Sequence, residues 1–104
     1  MISHATARAR AYETINRPDP YWPDRPEMVI LDRLTIEKPY GWVFFYDSAR
    51  YLETGSISDA LAGNAPVLVT ADRGEVHVIG TAHSVEHYLQ AFERTGSVHL
   101  QPRR

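Results

Sequence analysis

Between Leu61 and Thr81 the chain alternates apolar residues about a single reversal, and no other stretch limits the fold as tightly. The small residues Leu61-Ala62-Gly63-Asn64-Ala65-Pro66 deliver the backbone into the apolar run Val67-Leu68-Val69-Thr70. Asp72-Arg73-Gly74 reverses it, and Val76, Val78 and Ile79 bring it back. Apolar, β-branched runs on either side of an Asp/Gly turn predict a β-hairpin. A lone two-stranded hairpin is marginal in water, so the rest of the chain must supply further strands and a covering helix.

The strands come from the segment before it. Met28 to Glu37 reads as extended, with Met28, Ile30, Leu34 and Ile36 on one face and Asp32 interrupting that face at a bulge or sheet edge. Lys38-Pro39-Tyr40-Gly41 is a turn, because Pro presets φ and Gly tolerates unusual backbone angles. Trp42 to Tyr46 follows as a second strand, with Trp42, Phe44 and Tyr46 on one side and Val43 and Phe45 on the other. Apolar on both faces, it is expected to be central and covered twice.

Helices flank these strands. Ser3 can cap a helix running to Asn16 whose inner stripe is Ala5, Ala9, Tyr12 and Ile15 or Asn16, with Arg8, Arg10, Glu13 and Arg17 toward solvent. Ser84 caps another through Glu93 or Arg94, where Val85, Tyr88, Leu89 and Phe92 fall at i, i+3, i+4 and i+7, and Gly96 stops it. Asp47 to Gly63 reads as a long connection anchored by Tyr51 and Leu52, with at most one helical turn at Ser58-Asp59-Ala60-Leu61. The tail after Ser97 either adds a short edge strand through Val98 and Leu100 or frays. The expected fold is α+β: an antiparallel sheet of about four strands in the order α-β-β-β-β-α, with N- and C-terminal helices packed on it, in one domain over residues 1–104.

Composition removes several function classes. Of 104 residues 43% are hydrophobic and 23% charged, a globular balance rather than a disordered one. A net charge of −2 supplies no basic face for nucleic acid. The absence of cysteine excludes disulfides, thiolate metal sites and a thiol nucleophile. The longest apolar run, Trp42 to Tyr46, is far short of the about 18 residues that span a bilayer. The first residues lack a basic region followed by an apolar run, so a cytoplasmic location is expected.

Catalytic chemistry has one candidate motif. His83-Ser84-Val85-Glu86-His87 matches H-x-x-E-H, in which two histidines bind zinc and the glutamate activates water. His83 falls at or before the helix cap, so its ring need not align with that of His87, and only 17 residues remain to supply a third ligand. No serine sits in a Gly-x-Ser-x-Gly elbow, and the glycines are scattered at turns rather than gathered in a phosphate loop. Asp47, Glu53 and Asp59 read as solvated loop carboxylates, and Trp42 and Phe44 as core rather than a ligand-stacking pair. No catalytic residue, cofactor or metal is therefore assigned, and the chain is not expected to be an enzyme.

The segment from Arg17 to Glu27 holds Pro18, Pro20, Pro23 and Pro26, which remove backbone donors and block both helix and central strand. Two readings stand. Either its aromatics fold back onto the edge of the core, or Asp19, Tyr21, Trp22, Asp24 and Glu27 form an exposed aromatic and acidic lip that meets a partner, since Trp and Tyr are favoured binding anchors.

Several short patterns together resemble one family. Gly41-Trp42-x-Phe44-x-Tyr46, Tyr51-Leu52-Glu53-Thr54-Gly55, Leu61-Ala62-Gly63-Asn64-Ala65-Pro66, Gly74-Glu75-x-His77, Gly80-Thr81-Ala82 and Tyr88-Leu89 resemble the bacterial YrhB-like family, classed as immunity protein 35 of polymorphic toxin systems. The resemblance runs from Gly41 to Gly96, fits the N-terminal helix more loosely, and does not include the proline-rich segment. It implies a small α+β protein encoded beside a toxin, which it neutralises by binding; homo-oligomerisation stays open. One member is chaperone-like, so a holdase is the alternative. Within the resemblance Trp42, Phe44, Gly63, Asn64, Pro66, Gly74 and Tyr88 are fold-makers, which moves partner choice onto loops and exposed edges.

Overall fold

The computed structural model describes residues 1–55 and 65–98. Its elements in order are α1 (His4–Ile15), β1 (Met28–Ile30), a 3-10 turn (Asp32–Leu34), β2 (Ile36–Lys38), β3 (Gly41–Phe44), β4 (Tyr46–Ser48), α2 (Ala49–Thr54), β5 (Val67–Thr70), β6 (Val76–Val78) and α3 (Val85–Thr95). The fold is α+β, with a helix near each end and antiparallel strands between, as the sequence predicts. Gly63, Asn64, the turn proposed at Ser58–Leu61 and Leu100 lie outside the described residues.

The main sheet is four-stranded in the order β2-β3-β5-β6, every neighbour antiparallel. The predicted hairpin is β5-β6, with Val67 opposite Val78 and Val69 opposite Val76. All four residues of β5 are buried. Beside it β3 is central and two-faced. Phe44 and Trp42 point with Val67 and Val69 into one core, and Val43 points with Leu68 into the other.

Each core is closed by one helix. On the first face α1 lays Ala7, Ala11 and Ile15 against the sheet. On the second, α3 lays down Tyr88 and Leu89, joined by Val98, with Val85 and Phe92 at the margin. Ser84 Oγ accepts from the His87 N–H (3.2 Å) and the helix ends at Gly96, as the sequence predicts. No helix among the described residues is long and apolar enough to cross a membrane.

Four local expectations need correction. The buried stripe of α1 is Ala7-Ala11-Ile15, whereas Ala5 and Ala9 face solvent and Tyr12 is largely exposed. Alanine at every second position from 5 to 11 fits two helical phases equally, so the 3.6-residue period has no contrast by which to choose between them. The single strand expected over Met28–Glu37 is broken into β1 and β2 by the 3-10 turn, which leaves Leu34 45% exposed instead of inward. Trp42–Tyr46 likewise divides at Phe45 into β3 and β4. The two breaks face each other, five residues (31–35) on one arm against two (44–45) on the other. One long hairpin therefore bends, and its outer half, β1 with β4, becomes a separate two-stranded sheet. Finally, α2 is a helix where a connection was expected; Ser48 Oγ accepts from the Tyr51 N–H (3.1 Å) and starts it.

The bend is held from a distance. Arg8 on α1 donates from Nε and Nη2 to both carboxylate oxygens of Asp32, at 2.7 and 3.0 Å. That fork keeps the Asp32 carboxyl below its ordinary range. Asp32 thus breaks the strand because its side chain reaches across to a helix. Arg10 closes the other end of α1's contact, donating from Nη1 to the carbonyls of Arg73 and Gly74 in the β5-β6 turn.

Candidate partner-binding surface

Residues 17–27 connect α1 to β1 without regular structure, and their two ends are fastened together. The pattern of β1-β4 bonds shows how. Ala49 N–H donates to Glu27 O and Leu31 N–H to Phe45 O, so the intervening Met28 N–H and C=O point away from β4. Asn16 takes up both. Its Oδ1 accepts from Met28 N at 2.7 Å and its Nδ2 donates to Met28 O at 3.0 Å, while the same Nδ2 reaches Tyr12 O on the last turn of α1. The carboxamide stands where a neighbouring strand would.

Arg25 makes the second fastening. Its Nη2 donates to Ile15 O (2.7 Å) and Arg17 O (2.9 Å), meeting carbonyls that the helix end leaves free. Tyr12 adds a third by donating its hydroxyl to Glu27, and that bond raises the Tyr12 phenol above its ordinary pKa. Within the segment, Asp19 Oδ1 accepts from Tyr21 N (2.9 Å), Trp22 N donates to Asp19 O (3.0 Å) and Arg25 N to Trp22 O (3.2 Å). Two successive turns thus form on a backbone whose φ angles four prolines already limit.

The result is a braced loop with an aromatic tip. Tyr21 is 95% exposed and Trp22 42% exposed. Trp22 lies with Pro18, Pro20, Pro23 and Pro26 along an open concavity of about 410 Å³. Asp24 is exposed and Asp19 partly so. Of the five residues the sequence singles out, Asp19, Tyr21, Trp22 and Asp24 share the tip, whereas Glu27 stands at the base in its bond to Tyr12. The braces Asn16 and Arg25 were not singled out. Asn at a helix C-terminus is a recognisable signal, but its partner Met28, twelve residues on, is not.

Of the seven fold-maker positions, Trp42, Phe44, Pro66, Gly74 and Tyr88 lie within the described residues. Phe44 and Tyr88 are buried, and Pro66 ends the entry to β5. Trp42 is only partly buried: its ring lies under His4 (centroids 5.7 Å, planes 11° apart), and its Nε1 is buried with no hydrogen-bond partner among the described residues. His83 and His87 come together, with centroids 4.3 Å apart and planes 24° apart, an alignment that the position of His83 at the cap left open. Both are exposed, and Glu86 turns instead toward Lys38 at 3.9 Å. Among the described residues no group of three or more His, Cys, Asp or Glu side chains is placed to hold a metal ion.

Comparison with known proteins gives a family. The sequence profile of immunity protein 35 matches residues 5–91, from the first turn of α1 to the middle of α3. The uncharacterized protein YrhB of Escherichia coli (strain K12) is 47% identical over 53 residues, which are 51% of this chain and 56% of YrhB. The chain therefore spans little more than half the length of the curated relative it matches. No solved structure matches.

Proposed function

We propose, because the chain belongs to the immunity protein 35 family, that it is a non-enzymatic immunity protein of a bacterial polymorphic toxin system. In this reading it stays in the cytoplasm of the producing cell and neutralises a cognate toxin, encoded beside it, by binding. The match over residues 5–91 carries the proposal, since it takes in both sheets, α1 and much of α3 and so concerns the whole scaffold rather than one motif.

The physical demands of the task fit a scaffold of this kind. Neutralisation by binding needs a rigid body with a preorganised contact surface, because each side chain or loop ordered on association subtracts from affinity. The two cores lock the sheet on both faces, and the braced loop presents side chains without needing to fold on contact. A holdase would call for one contiguous apolar surface of more than a few hundred Å². Among the described residues the exposed large apolar side chains are instead divided among the N-terminus, α1, the proline-rich loop, the 3-10 turn, α2 and β6.

The test is protection. Expression of the toxin from the adjacent reading frame should arrest growth, co-expression of this chain should restore it, and the two should co-purify as a stoichiometric complex. Equal arrest with and without the chain, and no complex at micromolar concentrations, would refute the proposal.

A further inference from the structure

We infer that the braced loop over residues 17–27 is the surface that meets the toxin, and that it fits a partner presenting an apolar pocket with a basic rim. The inference rests on the proposed binding role and adds the place and the chemistry of contact.

Three observations converge on it. The first is exposure without compensation: Tyr21 stands 95% exposed at the tip, with half-exposed Trp22 next to it. Tyr21, almost wholly in solvent, contributes little to this chain's own stability, and Trp22 keeps part of its ring uncovered beside it; Tyr and Trp are the anchors that dominate binding energy when a partner covers them. The second is bracing. Asn16 and Arg25 together donate or accept four hydrogen bonds to main-chain groups of Met28, Ile15 and Arg17, and the two turns at Asp19–Trp22 and Trp22–Arg25 fix the tip between them. A loop held this way has little left to lose on association, the usual limit on loop-mediated affinity. The core clusters draw no side chain from residues 17–27, while the braces fasten the loop to Ile15 and Met28, both in the first core, so the loop is held on the rigid part of the molecule.

The third is charge. Residues 18–24 contain Asp19 and Asp24 and no Lys, Arg or His, and the exposed Arg17 lies just before them at the start of the loop. The nearest cation on the C-terminal side, Arg25, has its guanidinium turned inward onto the carbonyls of Ile15 and Arg17. The tip is therefore an aromatic pair flanked by two carboxylates. Its complement is an apolar pocket edged by Lys or Arg, and the carboxylates would steer a basic partner toward the tip before the aromatics engage.

The experiment measures binding of the adjacent toxin, in catalytically dead form, to the full chain and its variants by surface-immobilised kinetics, with thermal melting of each variant alongside. Tyr21→Ala should weaken affinity at least about tenfold with an unchanged melting temperature, since that ring is almost wholly exposed. Trp22→Ala should weaken it further. Asp19→Lys/Asp24→Lys should slow association at low salt and flatten its salt dependence. If the wild-type chain binds and Tyr21→Ala, Trp22→Ala and the charge reversal all bind as tightly, the loop is not the contact surface and the immunity role stands without it. If the wild-type chain does not bind the toxin at all, both the role and the surface are overturned. Loss of binding explained by self-association of the wild type through Tyr21 and Trp22, seen as a concentration-dependent mass lost in Tyr21→Ala, would likewise overturn it in favour of a second copy as the occupant.

Discussion

Replacing Asn16 by alanine tests whether one side chain holds the loop. The carboxamide satisfies both main-chain groups of Met28, whose residue is 2% exposed, at 2.7 and 3.0 Å, and it also reaches Tyr12 O. Asn16→Ala leaves a donor and an acceptor without partners, and an unsatisfied buried polar group costs about 1–3 kcal/mol. Both bonds are only partly buried, so water can recover some of that, and the net loss should be about 2–4 kcal/mol. For a domain of this size a kilocalorie shifts melting by roughly 4 °C, so the variant should melt about 8–16 °C lower by calorimetry or circular dichroism. Asn16→Asp is the sharper control. Its carboxylate can still accept from Met28 N but is repelled by the carbonyls of Met28 and Tyr12, so it should be as damaging as alanine at neutral pH. It should recover on acidification, when the protonated acid can donate. A loss under about 0.5 kcal/mol for Asn16→Ala would refute the reasoning, since it would mean that solvent serves Met28 as well as the side chain does.

Two further expectations follow from the site geometry. His83→Ala/His87→Ala should leave melting within about 0.5 kcal/mol of wild type, because both rings are exposed, and leave toxin binding unchanged, because they stand at α3 on the face of the sheet opposite α1; stoichiometric zinc in the purified protein, lost in the double variant, would contradict this. The Tyr40 phenol is pushed above its ordinary value of 10.0 by burial first and by its hydrogen bond to Glu93 (2.7 Å) second. A raised pKa means that this stabilisation is complete below about pH 10 and declines as pH climbs above it. Unfolding curves against pH should therefore show an alkaline decline that is smaller in Tyr40→Phe, and an identical decline in the variant would count against it.

How much of this was legible depended on whether a residue's partner was close in sequence. The β5-β6 hairpin and α3 carry their own punctuation: Asp72 to Gly74 at the turn, Ser84 and Gly96 at the helix ends. Both appear as read. The two-faced character of β3 was equally local. Asp32 looked like a flaw in a strand because the residue that explains it, Arg8, lies 24 positions away on another element. Asn16 looked like a marginal stripe position for the same reason, its real partner being Met28. α1 was readable as a helix but not in phase, because Ala5, Ala7, Ala9 and Ala11 offer no contrast for a 3.6-residue period to act on. α2 was missed though Ser48 and Gly55 bracket it, since six residues are too few to show periodicity. The tip of the proline-rich loop was legible as an alternative only. Sequence could name Tyr21 and Trp22, but the braces that hold the loop join residues eight to twelve positions apart at no regular spacing, so no periodicity reveals them.

The entry to β3 provides a test of the sheet itself. Gly41 pairs with Thr70 of β5, and Tyr40 O accepts from Ala71 N at 2.8 Å, so the chain turns into the sheet with β5 already against it. Its φ is +158°, and a β-carbon there would fall within the van der Waals envelope of the Val69 carbonyl oxygen and 3.0 Å from the Thr70 α-carbon. Both obstacles are backbone in a fully buried strand, so neither can swing aside as a flexible side chain would. Gly41→Ala then combines overpacking, about 1–3 kcal/mol, with an unfavourable φ, about 1–3 kcal/mol, for a total of roughly 2–6 kcal/mol. Gly55 separates the two terms. Its φ is +67° but a β-carbon there meets nothing within 4 Å among the described residues, so Gly55→Ala should carry the backbone penalty alone. Chemical denaturation of both variants should place Gly41→Ala clearly below Gly55→Ala. Equal losses would mean that β3 can draw away from β5 at its first residue, and the close seam between the hairpins would then not be what fixes the register of the central strands.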